Sequence, residues 1–143
     1  MLYGAHEAAR VVAEEGLEAR VARHTLHGRA MAAGCAGLGL ALFGDQDHKM
    51  TNIVAVWIPE GVDGEAVRSM LLTDFGIEIG TSFGPLAGRV WRIGTMGVNA
   101  SGDAVLTTLA ALEVVLGRLG VAVPLRGGLD AANAVYSSQG EAA

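Results

Sequence analysis

The sequence predicts an α+β domain, a small antiparallel or mixed sheet with helices packed on one face. Three observations point there. Helical and strand-like segments interleave in the order α, α, β, β, α, β, β, α; the strand-like segments are short; and the helical ones carry apolar residues at near-3.6 spacing. A chain of 143 residues has room for one compact domain and little else.

The first helix is predicted over 2–15 and the second over 17–34, with a break near Gly16. Leu2, Ala9, Val12, Leu17, Val21 and Met31 form the expected buried seam, and Arg10, Glu14, Glu18 and Arg20 the wet face. The first helix starts with no capping residue ahead of it, which reads as a truncated beginning. GCAGLG (34–39) is expected to break the second helix as a turn, and LALFGD (40–45) to form a short strand. Ile53 to Ile58 is continuously apolar, as in a strand covered on both faces, and Pro59-Glu60-Gly61 ends it. A helix follows over 64–76 with Gly76 as its C-cap, then a strand at IEIGT (77–81), a loop at SFGPLAG (82–88) and a strand at RVWRIG (89–94). Ser101 caps a last helix that runs to about Gly120 and buries Val105, Leu109, Leu112, Leu116 and Leu119. The domain is therefore drawn over 1–120, with 121–143 a tail that wraps on the surface or is partly disordered.

Composition excludes several functions. Net charge is −5 and the ten basic residues are scattered, so no nucleic-acid-binding face is expected. No apolar run approaches the ~18–20 residues that cross a bilayer. The N-terminal segment lacks the form of a signal peptide, which makes the cytoplasm the default location. Hydrophobic residues nevertheless make up 51% of the chain, an excess that predicts surfaces covered by another domain or subunit.

Arg92 is the leading candidate for function. On a strand, Val90, Arg92 and Gly94 point one way and Trp91 and Ile93 the other. A guanidinium on a rigid element beside a glycine can hold a carboxylate through two parallel hydrogen bonds. The alternative is an internal ion pair, with Glu78 the nearest partner in the expected sheet. Other groups read as structural. His24 and His27 lie three apart on a helix, with only Glu18 and His48 as distant co-ligands, so solvated or capping histidines are expected rather than a metal site. Cys35, the single cysteine, reads as a buried thiol. GTMGVNASG (94–102) reads as an ordinary capped loop rather than a phosphate cradle, and Asn99-Ala-Ser101 as no glycosylation site in a protein without signs of secretion. Lys49, the single lysine, sits in the polar stretch DQDHKM and lacks the apolar setting of a Schiff-base amine.

Longer stretches then carry a resemblance. LYGAHEAARVVAEEGLEARVARHTLHGRAM, LGLALFGD, HKMTNIVAVWIPEGVDGEAVRSMLLTDFGIEIGTSFGPLAGRVWRIGTMGVNA and the ending GLDAANAVY resemble the C-terminal part of class V, fold-type I aminotransferases. Within these pyridoxal-phosphate enzymes the likeness is to the alanine–, serine– and ureidoglycine–glyoxylate group, covering residues 2 to about 120. Its most specific element is GP-x-x-G-x-x-W-R-I-G-x-M-G at 84–97. The resemblance implies that Arg92 binds the substrate's α-carboxylate, that the cofactor is pyridoxal 5'-phosphate, that the substrates are glyoxylate and an amino acid, and that the intact protein is a homodimer acting in purine catabolism. It also implies a large cofactor domain, bearing the Schiff-base lysine, that this sequence does not contain. No residue here is assigned a catalytic, cofactor-binding or metal role, and the chain alone is expected to be inactive. A free-standing α+β module that binds small carboxylates without chemistry is the competing expectation.

Overall fold

The computed structural model describes residues 2–140. Helices α1 (Leu2–Glu15) and α2 (Leu17–Gly37) are followed by strand β1 (Ile53–Trp57), helix α3 (Gly64–Phe75), strands β2 (Gly80–Thr81) and β3 (Val90–Gly94), and helices α4 (Gly102–Arg118) and α5 (Gly127–Gly140). The strands form one antiparallel sheet in the order β1-β3-β2. One face of this α+β fold is closed by helices. Val54 and Val56 of β1 pair with Ile93 and Trp91 of β3, and all four enter a core shared with Met31, Val67, Leu71, Val105, Leu109, Leu112 and Leu116.

Capping sets the helix ends near their expected places. The Asp63 carboxylate accepts from the backbone N–H groups of Glu65 and Ala66 at the start of α3, and Gly76 closes that helix at φ 67°. The Ser101 hydroxyl accepts from the Ala104 N–H at 3.2 Å to open α4. Val105, Leu109, Leu112 and Leu116 of α4 are fully buried as the spacing predicts, but Leu119 is 40% exposed because it lies past the last turn.

Four expectations fail for physical reasons. The 40–45 strand shrinks to one bridge, Leu42 to Val56, held by Phe43 N–H to Ala55 O and Trp57 N–H to Ala41 O, both 2.8 Å. Strand 77–81 shrinks to Gly80–Thr81, because the Ile79 carbonyl accepts from Arg68 Nε at 2.8 Å instead of from a strand. Burial in β1 alternates rather than covering both faces: Val54 and Val56 are buried, and Ile53, Ala55 and Trp57 are only half-buried. The seam on α1 and early α2 is uncovered among the described residues: no α1 residue is buried, and Leu17 and Val21 stay exposed.

The largest departure is at the C-terminus. Of the expected tail, 127–140 is helix α5, packed along α2 more extensively than any other pair of elements pack; 141–143 lie outside the described residues, as does Met1. Ala132 is fully buried in the core. GCAGLG does not break α2, which runs to Gly37. Its glycines serve close approach: a Cβ on Gly37 would stand 2.3 Å from the Gly127 carbonyl oxygen, and one on Gly34 2.2 Å from Leu109 Cδ1. The segment reads as a turn because glycine composition does not distinguish a bend from a tight helix contact.

This packing makes opposite forecasts for two helical glycines. A Cβ on Gly28 would sit 1.6 Å from the Thr51 carbonyl oxygen, a backbone atom that cannot give way cheaply. Gly28→Ala is expected to cost about 2 kcal/mol or more in urea unfolding. Gly4, with nothing near it in α1, should gain roughly 0.5–1 kcal/mol of local helix stability as Ala, read from helicity by circular dichroism.

Candidate functional site

β3 is the central strand, so its backbone is held from both sides and its side chains have fixed directions. Trp91 and Ile93 turn into the core, fully and 97% buried, and Arg92 emerges half-buried on the opposite face, between buried Val90 and exposed Gly94. Its cross-strand partners are small: Ala55 on β1 and Gly80 on β2, with Gly94 two residues along the same face. Small residues therefore flank Arg92 on both neighbouring strands, and a Cβ on Gly80 would approach the Arg92 Nε to 3.7 Å.

Arg92 is anchored by two contacts. Its Nε donates to the Thr81 carbonyl at 2.8 Å, and its Cζ stands 4.8 Å from the centre of the Phe83 ring. The alternative, a pair with Glu78, does not form; Glu78 is exposed, and no carboxylate among the described residues pairs with the guanidinium. With Nε engaged, the Nη1/Nη2 edge is the fork left to meet a bidentate acid. What the arrangement can do chemically is hold one carboxylate in a set orientation.

The loop after β3 is clamped from α2 by His24, expected as a solvated or capping histidine, and by Arg23, which the sequence did not single out. His24 is buried; its Nδ1 lies 2.7 Å from the Arg20 carbonyl, and its Nε2 accepts from the Gly97 N–H at 3.0 Å. Those partners require the neutral tautomer with its proton on Nδ1. Arg23 Nη1 donates to the Gly97 and Ala100 carbonyls at 2.8 and 2.9 Å, and its Nε and Nη2 bind the Glu15 carboxylate. Arg20 completes the knot at 2.7 Å from Glu15. The pairing with Arg23, reinforced by Arg20, holds the Glu15 carboxyl at about 2, far below its ordinary range. No single-sequence signal marks this knot, because its members lie 73 and more residues from the loop they hold.

His27 turns the other way, toward the Tyr136 hydroxyl at 3.0 Å on α5, so the two histidines serve different elements. Cys35 is fully buried and its thiol is pushed up to about 12 by burial, an inert group as expected. Asn99 precedes the α4 cap, where Ser101 is occupied by its hydrogen bond to Ala104. Lys49 stands exposed, its Nζ 2.5 Å from Gln46 Oε1. An amine in water, tied to a surface amide, does not fit the role of a lysine that carries pyridoxal phosphate covalently.

No family model matches the chain. Over 143 residues it is 52% identical to the (S)-ureidoglycine–glyoxylate transaminase of Bacillus subtilis (strain 168), an alignment that takes in 100% of this chain and 34% of that protein. Over 121 residues it is 37% identical to an alanine–glyoxylate aminotransferase of Callithrix jacchus, covering 80% of this chain and 28% of that one. The crystal structure of ureidoglycine–glyoxylate aminotransferase from Bacillus subtilis superposes with a TM-score of 0.91, over 95% of this chain and 35% of that chain. The chain thus spans about a third of the length of the relatives it matches.

The Glu15 knot sets a pH dependence. A carboxyl held low when folded stabilises the protein above its ordinary value of 4.5, and that contribution is lost as pH falls toward about 2. Acid titration should therefore loosen the 97–100 loop over this window, seen as faster exchange of the Ala100 amide, which donates to the Gly97 carbonyl that Arg23 holds. Glu15→Gln should give the loosened loop already at neutral pH.

Proposed function

From the membership of this chain in the class V aminotransferases, we infer that it is the C-terminal portion of a pyridoxal-phosphate-dependent transaminase that uses glyoxylate as amino acceptor. The 52% identity favours the ureidoglycine–glyoxylate reaction, a step of purine catabolism, over the alanine– and serine–glyoxylate reactions of more distant relatives. On the family likeness the intact protein is a homodimer of the cytoplasm. No helix among the described residues is long and apolar enough to cross a membrane.

The observation that carries this reading is Arg92. It stands on the central strand between small cross-strand partners, with Nε spent on Thr81 and no ion pair to a carboxylate among the described residues. In the proposed role its terminal nitrogens bind the α-carboxylate of glyoxylate and of the amino donor, and the sheet keeps the reacting carbon in one place relative to the acid. Holding both substrates by the same group suits a reaction in which donor and acceptor use one site in turn. Pyridoxal phosphate supplies the amino-transfer chemistry in such enzymes. Lys49 does not fit that cofactor, so this chain's part is to bind and orient the acid, and by itself it performs no transfer.

The test is titration of the chain with glyoxylate and with glycine, followed by NMR at the Arg92 Nε–H. Saturable shifts are expected, with affinity reduced about tenfold or more in Arg92→Gln, the loss that follows from removing a charged hydrogen-bond pair. Undiminished binding in Arg92→Gln would overturn the assignment. Adding pyridoxal phosphate is expected to give no visible absorption that disappears in Lys49→Ala and no glycine formation. Turnover by this chain alone would refute the view that it is part of a larger catalyst.

A further inference from the structure

Both contacts that anchor Arg92 come from one short segment. Thr81 supplies the carbonyl that Nε bonds at 2.8 Å, and Phe83, two residues on, supplies the ring 4.8 Å from Cζ. The direction of the guanidinium therefore depends on where this segment stands relative to β3. The ladder holds it only briefly: β2 pairs with β3 through Gly80 and Thr81, whereas β1 pairs through five residues. A cavity of about 300 Å³, lined in part by Arg68, Thr81 and Trp91, leaves room for the segment to shift on one side.

Helix α3 supplies the rest of the hold. The Ile77 N–H donates to the Leu71 carbonyl at 3.0 Å, Ile79 packs into the core, and Arg68 Nε donates to the Ile79 carbonyl at 2.8 Å. Beyond Ile77, the Arg68 bond is the only hydrogen bond from α3 to this segment among the described residues. β3 reaches the same helix, its Trp91 Nε1 donating to the Gly64 carbonyl at 3.2 Å. The bonds close a ring. Arg68 joins α3 to the start of β2, Arg92 joins β2 to β3, and Trp91 joins β3 back to α3.

We propose that Arg68 is a positioning residue for acid binding: by holding the Ile79 carbonyl it fixes the Thr81 carbonyl, and with it the direction in which Arg92 presents its terminal nitrogens. The inference rests on the carboxylate reading of Arg92; Arg68 itself touches no substrate. Its ion pair with Glu65, at 2.6 Å, is a weak contributor because the Glu65 side chain is 74% exposed. The bond to the carbonyl carries the effect. Without it the segment gains freedom, and Arg92 must be ordered anew each time an acid binds.

The experiment reads two quantities by NMR, the order parameter of the Arg92 Nε–H in the free chain and the dissociation constant of acetate, a carboxylate that forms no imine. Arg68→Met keeps the apolar stem and removes the donors. Arg68→Gln shortens the arm instead, and carries the same test if the methionine variant folds poorly. Either should lower the Arg92 order parameter and weaken acetate about two- to tenfold, the scale of one lost hydrogen bond. The Nε–H of Arg23, held by Glu15, is the control and should not change. Arg68→Lys, whose ammonium can reach the same carbonyl, should restore both readings, and Glu65→Gln should alter neither. General loosening of the fold would move Arg23 together with Arg92, and that result overturns the inference. So does an unchanged Arg92 order parameter in both variants, or a lowered one with acetate affinity intact. If the unaltered chain does not bind acetate, or Arg92→Gln binds it equally well, the carboxylate reading itself fails, and the role of Arg68 with it.

Discussion

The alternation of side chains along β3 governs the rest of the structure. Trp91 and Ile93 are among the most buried residues in the molecule, and between them stands a permanently charged guanidinium. This is possible only because adjacent residues on a strand point to opposite faces. A one-residue slip would drive Arg92 into the core and expose Trp91, two penalties at once. The hydrophobic core therefore defines where the charge points. Its stability and the aim of the binding group are one constraint.

Holding a central strand still requires support at its sides and its ends. The sides are the hydrogen bonds to β1 and β2. The C-terminal end runs into a glycine-bearing loop with little packing of its own, and there the support is polar. His24 and Arg23 reach from α2 to the backbone of Gly97 and Ala100, and Glu15 from the end of α1 neutralises Arg23. Directional hydrogen bonds hold this loop, whose larger apolar side chains, Met96 and Val98, stay exposed. The same knot makes the α1–α2 joint responsive to acid, although no α1 residue enters the core.

Glycine does two different jobs here, and composition alone does not separate them. Gly76 is left-handed and ends a helix. Gly37 and Gly127 are where α2 and α5 approach closely enough that any side chain would collide with the opposing backbone. Through that contact the C-terminal segment becomes part of the core instead of a loose extension.

Local order was plain in the amino-acid string, since helix spacing, the Ser101 cap, the Gly76 terminus and the in–out pattern around Arg92 all depend on residues close in sequence. The likeness carried by the 84–97 motif also indicated which side chain to watch. Tertiary structure decided whatever depends on distant partners. Whether 77–79 pairs as a strand turned on Arg68, whether GCAGLG bends turned on α5, and whether Arg92 is neutralised turned on Glu78 staying outside. Spacing along a chain encodes direction, but a carbonyl, a glycine and a carboxylate acquire their roles only from what folding brings against them.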